Sequence, residues 1–230
     1  MSTLDLFDDP VTPPPGTRAD ESGHAPGRID ALGEQIRLLR GYALPRMQAI
    51  LAGLQEVERA APVRHLQTSR GHALSAATTN CGHWGWHSDR RGYRYTRDDP
   101  QTGRPWPPMP PVWHDLARDA AQAAGFAGFA SDACLVNRYA PGSKMGLHQD
   151  KNERDFSAPI VSLSLGMSVV FLFGGLARGD PTHRLRLDHG DILVWGGVDR
   201  LRYHGVMPLR GAAHDVLGHS RVNLTFRKAT

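Results

Sequence analysis

The chain has 230 residues, 40% hydrophobic and 22% charged, which is enough apolar material for a buried core and an ordinary balance for a globular protein. No apolar run reaches membrane-spanning length and the opening MSTLDLFDDP lacks an apolar signal core, so no membrane association is expected. Lysine and arginine total 27 against 23 acidic residues, a net charge of +4 that permits a polyanionic partner, and Cys81 and Cys134 form no paired motif, which suits a reduced, cytoplasmic compartment.

The acids crowd into the N-terminus at Asp5, Asp8, Asp9, Asp20 and Glu21, leaving the rest of the chain more basic than the total. Residues 1–30 are rich in proline, glycine and charge and are expected to form a flexible tail; 31–230 is expected to be one domain. Residues 35–42 read as a first strand. Pro45 suits a first helical position, and Met47, Ile50, Leu51, Leu54 and Val57 follow at helical spacing, predicting an amphipathic helix to about Ala60. Residues 65–79 alternate loosely and read as strand, turn, strand.

The stretch 80–97 interleaves Trp84, Trp86, Tyr93 and Tyr95 with Arg90, Arg91, Arg94 and Arg97. Aromatic faces stack on bases while guanidinium groups meet phosphates, so the composition suits a single-stranded nucleic-acid surface. The alternative is a loop pinned to the core by its tryptophans. A proline-rich connector follows at 105–111, and 114–124 reads as a short helix stopped by Gly125. Beyond Asp132 come short β-rich runs at 133–138, 160–165, 169–173, 184–187, 192–195 and 222–226, split by turn residues. Many short strands without a βαβ rhythm predict a mainly β (α+β) sandwich or jelly roll with flanking helices.

Chemistry concentrates in 137–150, NRYAPGSKMGLHQD. On extended backbone His148 and Asp150 point to one side. One distant histidine would complete a two-histidine, one-carboxylate face for non-haem Fe(II). His204, in RYHGV, is the leading candidate; His183, His189, His214 and His219 compete on spacing. In the last run, RVNLTFR, a period of two puts Arg221, Asn223, Thr225 and Arg227 on one face and Val222, Leu224 and Phe226 on the other. Inside a barrel those arginines need anionic partners, and a dicarboxylate would serve both; at an edge they would be solvated.

The runs TNCGHWGW, RRGYRY, DPQTGRPWPPMP, DACLVNRYAPGSKMGLHQDK, APIVSLSLG, HGDILVWGG, YHG and RVNLTFR together resemble the AlkB family of Fe(II)- and 2-oxoglutarate-dependent nucleic-acid dealkylases. The resemblance covers about 80–227, is close to the bacterial members, and implies a double-stranded β-helix (jelly-roll) core with a substrate-binding lid over about 65–100. It implies that His148, Asp150 and His204 hold iron. Arg221 and Arg227 would pair with the carboxylates of 2-oxoglutarate, with Asn137, Arg138, Tyr139 and Asn223 beside them. Trp86 would stack on the substrate base, Tyr93, Arg94 and Tyr95 would meet its phosphate and sugar, and Arg178 would add a further contact.

One position departs from the family. Two residues beyond Asp150 the best-known bacterial member carries an acid near the exocyclic nitrogen of the base, and this chain carries Asn152, which has no charge to favour a cationic base. The implied reaction uses Fe(II), 2-oxoglutarate and O2 to demethylate bases of the 1-methyladenine or 3-methylcytosine type in single- or double-stranded DNA, or in RNA. It releases formaldehyde, succinate and CO2; a monomer is the default expectation. A target base must be flipped out or already unpaired to reach the site. The competing readings are a hydroxylase of a small molecule or protein side chain, and a silent β-barrel binding module.

Overall fold

The computed structural model describes residues 27–230. In chain order the elements are β1 (Ile29–Ala31), β2 (Ile36–Leu39), a 3-10 turn (Leu44–Arg46), α1 (Met47–Ala60), β3 (Ala77–Gly82), β4 (Gly85–Asp89) and β5 (Gly92–Thr96). Then follow α2 (Pro111–Ala123), β6 (Ala133–Tyr139), β7 (Met145–His148), β8 (Ile160–Gly166), β9 (Val169–Phe173) and β10 (His183–Leu187). The chain closes with β11 (Ile192–Trp195), a 3-10 turn (Gly197–Asp199), β12 (His204–Val206) and β13 (Arg221–Arg227).

A seven-stranded sheet runs β1-β2-β11-β8-β13-β6-β3, and a four-stranded sheet runs β10-β9-β12-β7. Every pairing between named strands is antiparallel. From β6 to β9 and again from β10 to β13 consecutive strands alternate between the two sheets, with β9 and β10 paired within the small one, which is the crossing pattern of a jelly roll.

Period-two patterning gives the large sheet two jobs. Cys134 and Val136 of β6, Val161, Leu163 and Leu165 of β8, and Val222, Leu224 and Phe226 of β13 face the helices. The alternate residues face the small sheet, whose Val169, Phe171 and Phe173 meet Leu193 and Trp195 of β11. On the helix side, α1 buries Ile50, Gly53, Leu54 and Val57, and α2 buries Trp113, Leu116, Ala117, Ala120 and Ala121. Both sets recur at three- and four-residue intervals, as an amphipathic helix requires. The two helices approach closely at Gly53, where an added Cβ would lie 3.0 Å from Pro110, and the Trp113 indole donates to the Ile50 carbonyl at 3.1 Å.

Several elements differ from the sequence-based expectation. The tail was expected to extend to residue 30; residues 1–26 lie outside the described residues, but Ile29–Ala31 pairs with β2, held by Gly27 and Arg40 backbone bonds. The 65–79 segment makes only isolated bridges, Arg64 with Thr78 and Gln67 with Ala73, before β3 begins. The aromatic–arginine stretch is not a loop: most of it forms the β4–β5 hairpin, turned at Gly92 with φ of 94°, with Arg90, Arg91 and Arg97 exposed. α2 starts three residues earlier than expected, at Pro111, whose fixed φ and missing N–H cost nothing at a first helical position.

Candidate active site

β7 and β12 are neighbours in the small sheet, and His204 lies directly opposite His148 in their register. Paired residues share a face, so both imidazoles point between the sheets, ring centroids 4.4 Å apart. Asp150 follows two residues beyond the end of β7. Its Oδ1 is 3.7 Å from His148 Nε2 and its Oδ2 is 3.7 Å from His204 Nε2. The three donor atoms lie within 4.8 Å of one another, and among the described residues no other group of His, Cys, Asp and Glu makes such a cluster.

Both tautomers are set from behind. His148 Nδ1 donates to the Gly146 carbonyl at 2.9 Å and His204 Nδ1 to the Arg202 carbonyl at 3.0 Å, leaving each Nε2 lone pair aimed at the carboxylate side. Burial lowers the His148 pKa; burial together with the adjacent His148 brings His204 down to about 3. Both rings are therefore neutral, as metal ligands must be. Burial alone would raise the Asp150 pKa, but Arg227, His204 and His148 outweigh it and hold the carboxylate ionised.

A buried network fixes the carboxylate. Arg227 Nη2 donates to Asp150 Oδ2 at 2.6 Å, and Arg200 Nη1 donates to the Asp150 backbone carbonyl at 2.7 Å. Arg200 pairs with Glu153 at 3.1 Å, both side chains 2% exposed, and the Tyr95 hydroxyl donates to Glu153 at 2.6 Å. Glu153 and Arg200 carry no signal of period or spacing that would have singled them out in the sequence. Only proximity to Asp150, visible after folding, gives them a role.

The cavity beside the cluster is lined by Asn137 and Tyr139 from β6 and by Arg221, Asn223, Thr225 and Arg227 from β13. Arg221 is 1% exposed; its Nη2 donates to Ser164 Oγ at 3.1 Å and its guanidinium lies 5.0 Å over the Tyr139 ring. Its Nε and Nη1 have no acceptor, and the Trp195 indole N–H in the same cavity also lacks one. These are all buried donors, and an anion with several acceptor oxygens is what they lack. Asn223 bonds Ser162 and the Leu163 carbonyl, which orients its amide within the sheet.

Arg138 does not join this group. It lies on the helix-facing side of β6, where Nη2 pairs with Glu58 of α1 at 2.7 Å and Nη1 donates to Ser220. Its inclusion among the cosubstrate contacts is corrected by the alternation of the strand: Asn137 and Tyr139 face the cavity, so Arg138 faces away.

At the mouth, Trp86 stacks on Tyr93 with centroids 5.5 Å apart, and its indole donates to Asn152 Oδ1 at 3.3 Å. Trp86, Asn152 and His148 line one cavity. Arg94 turns to the other face of the hairpin and makes a bidentate pair with Asp89, at 2.8 and 2.7 Å. Tyr95 points its hydroxyl into the buried network rather than to the opening. Arg178 lies 5.5 Å over the Tyr203 ring, near enough to the cluster to act on His148.

Comparison with known proteins agrees with this architecture. Residues 35–227 match the family described as the 2OG-Fe(II) oxygenase superfamily. The chain is 50% identical over 192 residues to the alpha-ketoglutarate-dependent dioxygenase AlkB of Escherichia coli, covering 84% of this chain and 89% of that protein. It is 37% identical over 116 residues to the nucleic acid dioxygenase ALKBH1 of Mus musculus, covering 50% of this chain and 30% of that one. The solved structure of OsALKBH1 superposes with a TM-score of 0.75 at 27% identity, over 87% of this chain and all of that one. A jelly roll holding this cluster, matched across most of its length, places the chain in the AlkB family of Fe(II)- and 2-oxoglutarate-dependent dioxygenases.

Proposed function

We propose that the chain oxidatively removes N-methyl groups from nucleic-acid bases, of the 1-methyladenine or 3-methylcytosine type. The observation that carries the reading is one cavity in which His148, Asp150 and His204 sit beside the unanswered donors of Arg221, under the aromatic mouth formed by Trp86. The residues fit the groups the family uses: two neutral imidazoles and a carboxylate suit Fe(II), and Arg221 suits a carboxylate of 2-oxoglutarate. Bound by His148, Asp150 and His204, Fe(II) would supply oxidation of the methyl carbon by O2 with 2-oxoglutarate as co-reductant, the overall products being succinate, CO2, formaldehyde and the repaired base.

The chain's own residues supply position and shielding. The carbonyls of Gly146 and Arg202 hold the histidines in the metal-binding tautomer. Arg227, anchored on Asp150, keeps that carboxylate charged and aimed and has only its Nε without a hydrogen bond, whereas Arg221 offers both Nε and Nη1 to the cosubstrate. Trp86 provides an indole face for an unstacked base, fixed at its edge by Asn152. Asn152 accepts from Trp86 through Oδ1 and, being an amide, presents no negative charge to a cationic lesion. In this reading the described residues, 27–230, form one catalytic domain, about 65–100 its substrate lid, and the protein works as a cytoplasmic monomer on single- or double-stranded DNA or on RNA. Two unpaired cysteines suit that compartment. No helix among the described residues is long and apolar enough to cross a membrane.

Trp86→Ala separates this reading from hydroxylation of a small molecule. Its predicted effect is a KM for methylated oligonucleotide raised roughly 10-fold or more, from the loss of about 1–3 kcal/mol of stacking, with lesion-independent succinate formation retained. Loss of all succinate formation in a folded, iron-loaded variant would remove Trp86 from substrate stacking.

A further inference from the structure

The outer face of the small sheet, opposite the metal cluster, carries a groove that the chemistry above does not use. Phe171 and Phe173 of β9 face the core between the sheets, so Val170 points outward. Arg184 and Arg186 of β10 sit opposite Leu172 and Val170 and alternate with the inward Leu185 and Leu187. The Met207 N–H donates to the Val170 carbonyl at 3.0 Å, which lays the segment after β12 alongside them. Together they enclose a groove of about 580 Å3, with Val170, Met207 and Pro208 as apolar floor and Arg184, Arg186 and Arg210 as walls.

No carboxylate lines it. Arg186 is tied to Asp188 and Ser168, but among the described residues nothing pairs with Arg184 or Arg210. Charge on an edge strand discourages addition of further strands, and β10 is an edge strand. That accounts for Arg184 and Arg186. It does not account for Arg210, which lines the groove from outside the strands, nor for the apolar floor.

The groove is also continuous with the active-site cavity. Leu74, Ser75, Lys144, Met145 and Val206 line both that cavity and an adjoining cleft. The cleft in turn shares Met207 and Pro208 with the arginine groove. A track of three adjoining hollows, each sharing lining residues with the next, therefore leads from the candidate metal centre round the edge of the small sheet to Arg184 and Arg210.

We propose that this track seats the substrate's own single strand beyond the target nucleotide, its phosphates on Arg184 and Arg210 and its bases against the apolar floor. Guanidinium forks pair with phosphate oxygens, and apolar surface accepts any base face, so the contact adds affinity without sequence preference. The inference rests on the nucleic-acid reading of the active site.

The test uses the full iron-loaded chain and an unmodified single-stranded oligonucleotide of roughly 15 nucleotides, followed by fluorescence anisotropy across a salt series. For Arg184→Glu/Arg210→Glu the dissociation constant should rise about 10-fold or more, and the slope of log K against log salt should flatten by about 1.4, two contacts at about 0.7 each. Arg59→Glu/Arg118→Glu, on the two helices, changes the net charge equally and should leave the slope in place. With methylated substrates, the groove variant should lose the advantage of the long strand over a trinucleotide. An unchanged slope, equal loss in the helix variant, or no binding by the parent overturns the proposal. If the parent binds through the groove yet releases no formaldehyde from a methylated strand, the groove stands and the dealkylation reading falls. Formaldehyde release with an unaltered slope in the variant has the opposite meaning.

Discussion

Arg221 brings a charge into the interior with two of its N–H directions unanswered, and Ser164 and the Tyr139 ring only partly offset that cost. Burial pushes its pKa down, the sign of a cation held where folding alone would not choose one. Arg221→Met should therefore leave the protein without cosubstrate as stable as the parent or more so in urea denaturation, while weakening 2-oxoglutarate about 100-fold, near 3 kcal/mol. A variant destabilised with unchanged 2-oxoglutarate affinity would make Arg221 a structural residue. Glu153 predicts the reverse pattern. Glu153→Gln leaves the Arg200 guanidinium buried without its counter-charge, so stability should drop by about 3 kcal/mol, and Fe(II) affinity by roughly 10-fold because Asp150 loses the frame that aims it. Equilibrium unfolding and metal titration measure the two effects separately.

At the scale of elements, the site depends on how closely β12 lies against β7. Gly205 sits between the His204 and Val206 positions, and a Cβ there would come within 2.8 Å of the Met145 carbonyl on β7. Gly205→Ala should push the strands apart and separate His204 from His148, lowering Fe(II) affinity about 10-fold with the fold retained. Metal titration alongside circular dichroism checks this, and parental affinity would mean the pair tolerates the displacement.

The turn from β8 to β9 carries a pH dependence. Gly166, at φ of 85°, donates its N–H to His189 Nδ1 at 2.9 Å, which only an unprotonated nitrogen can accept. Burial and the neighbouring His214 lower the His189 pKa below 6.5. Since the unfolded chain takes the proton first, the stability present above 6.5 is lost as pH falls below it. His189→Gln keeps an acceptor that does not titrate, so its urea midpoint should decline less steeply than the parent's between about pH 7 and about pH 5.

Much at this scale was legible. Alternation along 221–227 and spacing along 47–57 announced which side chains would pack in the apolar core, because those patterns follow from backbone geometry. Alternation leaves open whether the arginine face of 221–227 is buried or solvated, and it is buried because β13 is a central strand. What escaped had no local signature. β7 and β12 are four and three residues long and hold a glycine each, so neither shows alternation, and they exist because each pairs with strands far away in sequence. The β4–β5 hairpin was hidden by its composition, since arginines and tryptophans drew attention to ligand chemistry while Gly92 marked the turn. Arg138 shows the converse error: a residue beside two cavity-lining positions in sequence lies on the opposite face of the strand.

For the molecule as a whole, two sheets enclose the cavity, the helices cover one sheet from outside, and the other sheet is left with a basic outer face. The large sheet contributes the cosubstrate side through β6 and β13, and the small sheet contributes the histidines through β7 and β12. The hairpin closes the mouth with an indole face. That division makes the metal, the cosubstrate donors and the aromatic mouth separable by mutation, although all three line one cavity. The most direct measurement is formaldehyde and succinate release from a single-stranded oligonucleotide bearing 1-methyladenine or 3-methylcytosine, with Fe(II), 2-oxoglutarate and O2 supplied and His148→Ala as control. Stoichiometric, lesion-dependent release of both products, lost in the control, is the predicted result. Succinate formed at the same rate without the lesion, or neither product from iron-loaded protein, would contradict base dealkylation as the function of this site.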